Sequence, residues 1–177
     1  MNWKPIKSYD YLVVHCAATK ATMDIGKAEI TQWHRERGFF DIGYHYVVRR
    51  DGTVEKGRPD TRPGAHARGF NHISLGICLV GGVAADGKTP EDNFTVAQYA
   101  TLKTLLLDLL NEYPEASIVG HRDLPNVNKA CPSFEVSDFV DTILEEKQDE
   151  PRTESITPPS EGKIVVGPRS CRFVPDS

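Results

Sequence analysis

The stretch from Thr95 to Tyr113 constrains the fold more than any other part of the chain. Thr95 and Gln98 make a Thr-x-x-Gln capping box, which satisfies free N–H groups at a helix start. Tyr99, Leu102, Leu105, Leu106, Leu109, Leu110 and Tyr113 then recur at helical spacing until Pro114 ends the run. A leucine stripe of this density has to be buried against a second layer. The remaining apolar runs are short and read as strands: Tyr11–Cys16, Tyr44–Arg49, Thr53–Lys56, Ile73–Val80 and Ser117–Gly120. Asp51-Gly52 is a hairpin turn signal between the second and third of them. A helix capped by Asp24 is expected to run to about Arg37, with Gly38 as its stop and Ile30, Trp33 and His34 on one side. A last helix, about Val136 to Glu146, would bury Val136, Phe139, Val140, Ile143 and Leu144. Such mixing of strands and helices, with one true hairpin, predicts an α/β fold: a mixed central β-sheet flanked by helices.

The chain has 177 residues, the size of one domain with one core. That domain is expected to span 1–147. Residues 148–177 hold five of the 12 prolines and no helical period, and read as a Pro-rich linker or tail with a short strand at 163–166. A net charge of -4 argues against nucleic acid as a partner. Locally, Arg49, Arg50, Lys56, Arg58, Arg62 and Arg68 outnumber Asp51, Glu55 and Asp60, a pattern that suits either an anionic ligand or a solvated hairpin surface. The opening MNWKPIKSYDYLVV has no apolar signal core, and no segment is apolar enough to span a membrane. The expectation is therefore synthesis in a reducing cytoplasm, with the four cysteines as thiols or metal ligands rather than disulfides.

Three residues are candidate metal ligands. His15 ends the first strand, His121 directly follows the last, and Cys131 lies in a loop just before Pro132. Loops beyond strand ends are where α/β sheets collect ligands. Two imidazoles and a thiolate suit zinc, and leave a fourth position for water. Taken singly, each has a plainer reading: a hydrogen-bonded structural histidine, or a buried small thiol. No short motif such as HExxH or CxxC is present.

Several strings occur together and in order: His15-Cys-Ala-Ala-Thr19, Trp33-His34, Phe40-Asp-Ile-Gly-Tyr-His45, Arg50-Asp-Gly-Thr-Val54, Gly64-Ala-His66, Asn71-His72, Gly76-Ile-Cys-Leu-Val-Gly-Gly82, Gly120-His-Arg-Asp123 and Lys129-Ala-Cys-Pro-Ser-Phe134. Over roughly Tyr9 to Leu144 the chain thereby resembles the N-acetylmuramoyl-L-alanine amidases of the phage-lysozyme and peptidoglycan-recognition type. The resemblance implies one Zn²⁺ held by His15, His121 and Cys131, and catalytic roles for Tyr44 and Lys129. Many relatives carry Asp at the third ligand position; Cys keeps a negative charge there. The His-to-Cys interval, with Leu-Pro-Asn-Val-Asn, resembles the longer loop of those Asp-bearing relatives.

The implied reaction is hydrolysis of the amide between the lactyl group of N-acetylmuramic acid and L-alanine of the stem peptide. Zinc lowers the pKa of its water to roughly 7. Lys129 would stabilise the oxyanion, and the Tyr44 hydroxyl would orient water or oxyanion. His66 is expected to contact substrate or assist near the zinc, against the reading of a plain loop histidine. His45 should face away from Tyr44 and be structural, as should His34 and His72. Cys16 should point away from the metal, and Cys78 should be inert. The alternatives are a non-catalytic peptidoglycan receptor module and a cytoplasmic muropeptide-recycling amidase. The expected partner is peptidoglycan or a muropeptide, met as a monomer at the cell wall after release through a phage holin lesion.

Overall fold

A computed structural model describes residues 5–149. The elements are β1 (Tyr11–Cys16), α1 (Lys27–Glu36), β2 (Tyr46–Val48), β3 (Val54–Lys56), β4 (Ser74–Leu79), α2 (Val96–Glu112), β5 (Ser117–Gly120), a 3-10 turn (His121–Asp123) and α3 (Val136–Asp149). The five strands form one mixed sheet in the order β3-β2-β4-β1-β5. β2 and β3 are the expected hairpin, and every other pairing is parallel. The expected tail, apart from the end of α3, lies outside the described residues, as does Cys171.

Alternation along the strands sorts side chains between two faces. Leu12, Val14, Tyr46, Val48, Leu75, Ile77 and Leu79 point to one face, where Leu102, Leu106 and Leu109 of α2 and Val136 of α3 cover them. Val47 and Cys78 point to the other, against Ile30 of α1 together with Ile25 and Ile42. Val13 shares this second side with Ala67 and Leu124. His15, two residues beyond Val13, projects from it too.

The capping box of α2 forms as read: Thr95 accepts from the Gln98 N–H, and Gln98 accepts from the Thr95 N–H, each at 3.1 Å. The start of α1 differs from the expectation. Asp24 caps nothing and instead pairs with Arg49 at 3.1 Å. The helix begins at Lys27, where the Gly26 N–H donates to Glu29 at 2.8 Å and the Lys27 N–H to Glu55 at 2.5 Å. The competing partners explain the shift: Arg49 takes the Asp24 carboxylate, and a carboxylate from β3 takes over the cap. Gly38 does end the helix, at a φ of 87°. Among the described residues no helix is long and apolar enough to cross a membrane.

Candidate metal centre

Parallel register builds the centre. Val14 pairs with Gly120, so the residues that follow, His15 and His121, leave adjacent strands side by side at their C-terminal ends. Their ring centroids lie 4.5 Å apart. The chain then loops and returns, closed by the Arg122 N–H donating to the Cys131 carbonyl at 2.8 Å and by the Gly120 N–H donating to Asp123 at 2.7 Å. This delivers Cys131 over the end of β1. One ligand atom from each of His15, His121 and Cys131 falls within 4.8 Å of the others. The His15 Nδ1 to Cys131 Sγ distance is 3.8 Å. Nitrogen and sulfur ligands of one tetrahedral zinc stand roughly 3.6 Å apart at ordinary bond lengths. The donor set thus fits a tetrahedral N₂S site.

Electrostatics favours the same use. The His15 pKa is held well below 6.5, first by burial, then by His66, His121 and Lys129. His121 is lowered too, by burial and then by Lys129. Both imidazoles are therefore neutral and carry lone pairs at pH 7. The Cys16 and Cys131 thiols share a hydrogen bond, which pulls Cys16 down to about 6 and pushes Cys131 up, burial adding to the rise. The pair gives up one proton readily and the second with difficulty. The Cys16 backbone N–H points at Cys131 Sγ from 3.3 Å and favours charge on that sulfur.

Cys16 is thus not turned away from the centre, as strand alternation predicts. It is the last residue of β1, and the Cys131 loop wraps over the strand end, so the two-face rule no longer separates it from the ligands. Cys16 Sγ also sits 3.9 Å from Ser133 Oγ, whose hydroxyl donates to the Gly82 carbonyl.

Tyr44, Lys129 and His66 join the three candidate ligands around one pocket of about 300 Å³. The Tyr44 ring lies 5.1 Å from the His15 ring. Its hydroxyl hydrogen-bonds the Cys78 thiol, and burial, followed by the nearby cysteines, raises its pKa well above 10. Tyr44 therefore stays a neutral O–H donor. Lys129 is exposed at the rim. Phe39, Ala65, His66, His121 and Lys129 also line an adjoining groove of about 1030 Å³. His66 lies 2.9 Å from His15, ring nitrogen to ring nitrogen.

Of the histidines that the sequence set aside, His34 and His45 hold the backbone. His34 Nδ1 accepts from the Gly43 N–H at 2.8 Å. His45 Nδ1 accepts from the Gly76 N–H, and its Nε2 donates to the Arg62 carbonyl, both at 2.9 Å. Most of the basic excess after Arg49 is likewise engaged in holding the fold. Arg49 pairs with Asp24 and Glu55, Lys56 with Asp60, and Arg58 donates to the Ile42 and Pro63 carbonyls. Arg50 donates to the Val80 carbonyl and Gln98. Arg68, by contrast, lines the groove.

Comparison with known proteins gives the same picture. A family model described as N-acetylmuramoyl-L-alanine amidase matches residues 3–134. An endolysin of Klebsiella phage KP32 is 52% identical over 125 residues, which cover 71% of this chain and 81% of that protein. The solved N-acetylmuramoyl-L-alanine amidase LysC from Clostridium intestinale URNW superposes with a TM-score of 0.65 at 25% identity, covering 81% of this chain and 95% of that one. Peptidoglycan recognition protein-LE, solved in complex with tracheal cytotoxin, a monomeric diaminopimelic acid-type peptidoglycan, superposes with a TM-score of 0.59 at 25% identity over 75% of this chain and 79% of its own. Since the matching model spans well over half of the sequence, this chain belongs to the N-acetylmuramoyl-L-alanine amidase family.

Proposed function

We propose that the chain is a zinc-dependent endolysin that hydrolyses the amide between the lactyl group of N-acetylmuramic acid and L-alanine in peptidoglycan. The observation that carries this reading is the His15–His121–Cys131 cluster, set in a pocket whose wall also holds Tyr44 and Lys129, within a chain of this family. Zinc held by these three residues supplies an activated water and a Lewis acid for an otherwise unreactive amide.

The protein's own groups do the rest. Lys129, at the rim beside the cluster, offers an ammonium to the oxyanion that develops on the lactyl oxygen. Tyr44, kept protonated, offers its O–H to the attacking water or to that oxyanion. The groove runs from the pocket past Phe70 and Arg68 and gives the stem peptide a path, with Arg68 available to its acidic groups. His66 lines both cavities, where it would border the bound substrate. Action at the cell wall fits the endolysin relatives; a monomeric state and release through a holin-made lesion belong to the same proposal.

The test is mass spectrometry of muropeptides from two peptidoglycan types, digested with and without chelator. The expected products are free stem peptides beginning at L-alanine, lost on chelation and restored by zinc. Enzyme carrying one zinc per chain that releases no stem peptide from either substrate would sink the catalytic reading and favour a receptor that binds without cutting. A Lys129→Met variant should retain zinc yet lose about 100- to 1,000-fold in kcat/KM, the usual cost of one oxyanion donor. Unchanged kinetics would remove Lys129 from the mechanism.

A further inference from the structure

Both ring nitrogens of His66 are already engaged. Nδ1 lies 2.9 Å from His15 Nε2, and Nε2 lies 3.4 Å from Ser74 Oγ. The Ser74 hydroxyl in turn donates to the Phe70 carbonyl at 2.7 Å. That carbonyl fixes the direction of the whole chain, because it can only accept. Ser74 gives its single proton to Phe70 and so accepts from His66 Nε2–H. A neutral His66 protonated on Nε2 presents a bare Nδ1, which must accept from His15 Nε2–H. The lone pair of His15 is then on Nδ1, the nitrogen that faces Cys131 Sγ at 3.8 Å.

The ring is also held in a built cradle. A Cβ on Gly76 would lie 2.5 Å from His66 Cγ, and one on Gly64 would collide with His66 Cδ2. Neither position can carry a side chain while the ring stays where it is. The Asn71 side chain accepts from the His66 and Ala67 N–H groups at 2.9 and 3.0 Å, tying down the loop from which the ring projects.

We propose that His66 is a positioning residue: with Ser74 and the Phe70 carbonyl it locks His15 in the Nε2–H tautomer and turns the Nδ1 lone pair toward the metal position. This rests on the zinc reading above. It gives His66 work that substrate contact does not require, and it places a neutral imidazole where metal-bound histidines commonly donate to a carboxylate or a carbonyl.

The full-length chain is tested in two ways. The first measures zinc affinity, by competition with a chromophoric chelator, for the parent chain, His66→Phe and His66→Asn. Asn places an amide oxygen where Nδ1 accepts; Phe fills the space with no acceptor. His66→Phe should bind zinc about 10- to 100-fold more weakly, the usual effect of removing such an outer partner, and His66→Asn should recover most of the loss. The second reads the His15 tautomer directly, from long-range ¹H–¹⁵N correlations of the zinc-free parent chain, and needs no variant to fold. A proton on Nε2 is expected. A proton on Nδ1, or a His66→Phe chain that binds zinc as tightly as the parent, overturns the proposal. If the parent took up no zinc while His15 carried its proton on Nε2, the metal reading would fail and the hydrogen-bond chain would stand.

Discussion

A Cys131→Ala chain should lose bound zinc and, with it, essentially all release of stem peptides. In the proposed site Cys131 would supply the one anionic ligand of the cluster; the other two candidates are imidazoles that burial keeps neutral. Without the thiolate, a dication would meet two neutral nitrogens and a gap, and its charge would go unmatched in a partly buried pocket. The rate loss should therefore exceed the roughly 100- to 1,000-fold expected for a single oxyanion donor such as Lys129. The fold should survive, because Cys131 belongs to none of the three apolar clusters that hold the sheet and helices together. Cys131→Asp separates charge from sulfur: it keeps an anionic ligand and should retain zinc and part of the rate. Metal content of dialysed protein, measured beside muropeptide release, checks both variants. Normal cutting by zinc-free Cys131→Ala would mean that the cluster is not the catalytic centre.

What the sequence made legible follows from what each signal depends on. α2 was readable almost to the residue because its capping box and leucine period are local, and the remote bonds that Thr95 and Gln98 make to Arg50, Val48 and Val80 add to the box without displacing it. The start of α1 was not, because Glu55 and Arg49, remote in sequence, decide which carboxylate meets which N–H. His15, His121 and Cys131 could be named from strand ends and from the resemblance, whereas their convergence needed the register of β1 on β5, which no single segment encodes. Cys16 was misjudged because alternation holds only while the strand lies inside the sheet. Ser74 drew no attention as one polar residue in an apolar strand, and Gly64 and Gly76 only as parts of strings. Together they hold the His66 ring, a contact made between a loop and β4.

Acid should begin to destabilise the zinc-free protein before its carboxylates titrate. His15, His34 and His45 are almost wholly buried. In His34 and His45 a ring nitrogen accepts a backbone N–H, a bond that protonation destroys. Burial, reinforced by Arg37 and Arg58, lowers the His34 pKa to about 4. Burial lowers His45 as well, partly offset by its bond to the Arg62 carbonyl, and holds His15 well below 6.5. Above pH 6.5 these groups are neutral in both folded and unfolded chains and contribute no pH dependence. Below it the unfolded chain takes up protons that the folded one refuses, so stability falls as pH falls, by about 1.4 kcal/mol per pH unit for each refused proton. His34 alone is worth about 3 kcal/mol by pH 4, against a total of roughly 5–15 kcal/mol for a typical domain. The depressed carboxylates act in a lower window: Asp86, brought to about 2 first by its bond to Thr89, loses its contribution only below its ordinary value of 3.8. Urea unfolding in the presence of chelator should therefore show a falling midpoint between pH 7 and 5, the depressed Cys16 thiol adding to the fall above about pH 6 and the histidines carrying it below. A His34→Asn chain keeps an acceptor for the Gly43 N–H but cannot be protonated, and its slope in that window should be shallower. A flat midpoint from pH 7 to 5 would mean that the unfolded chain gains no protons on the folded one, and that the imidazoles at the centre are not held neutral by burial.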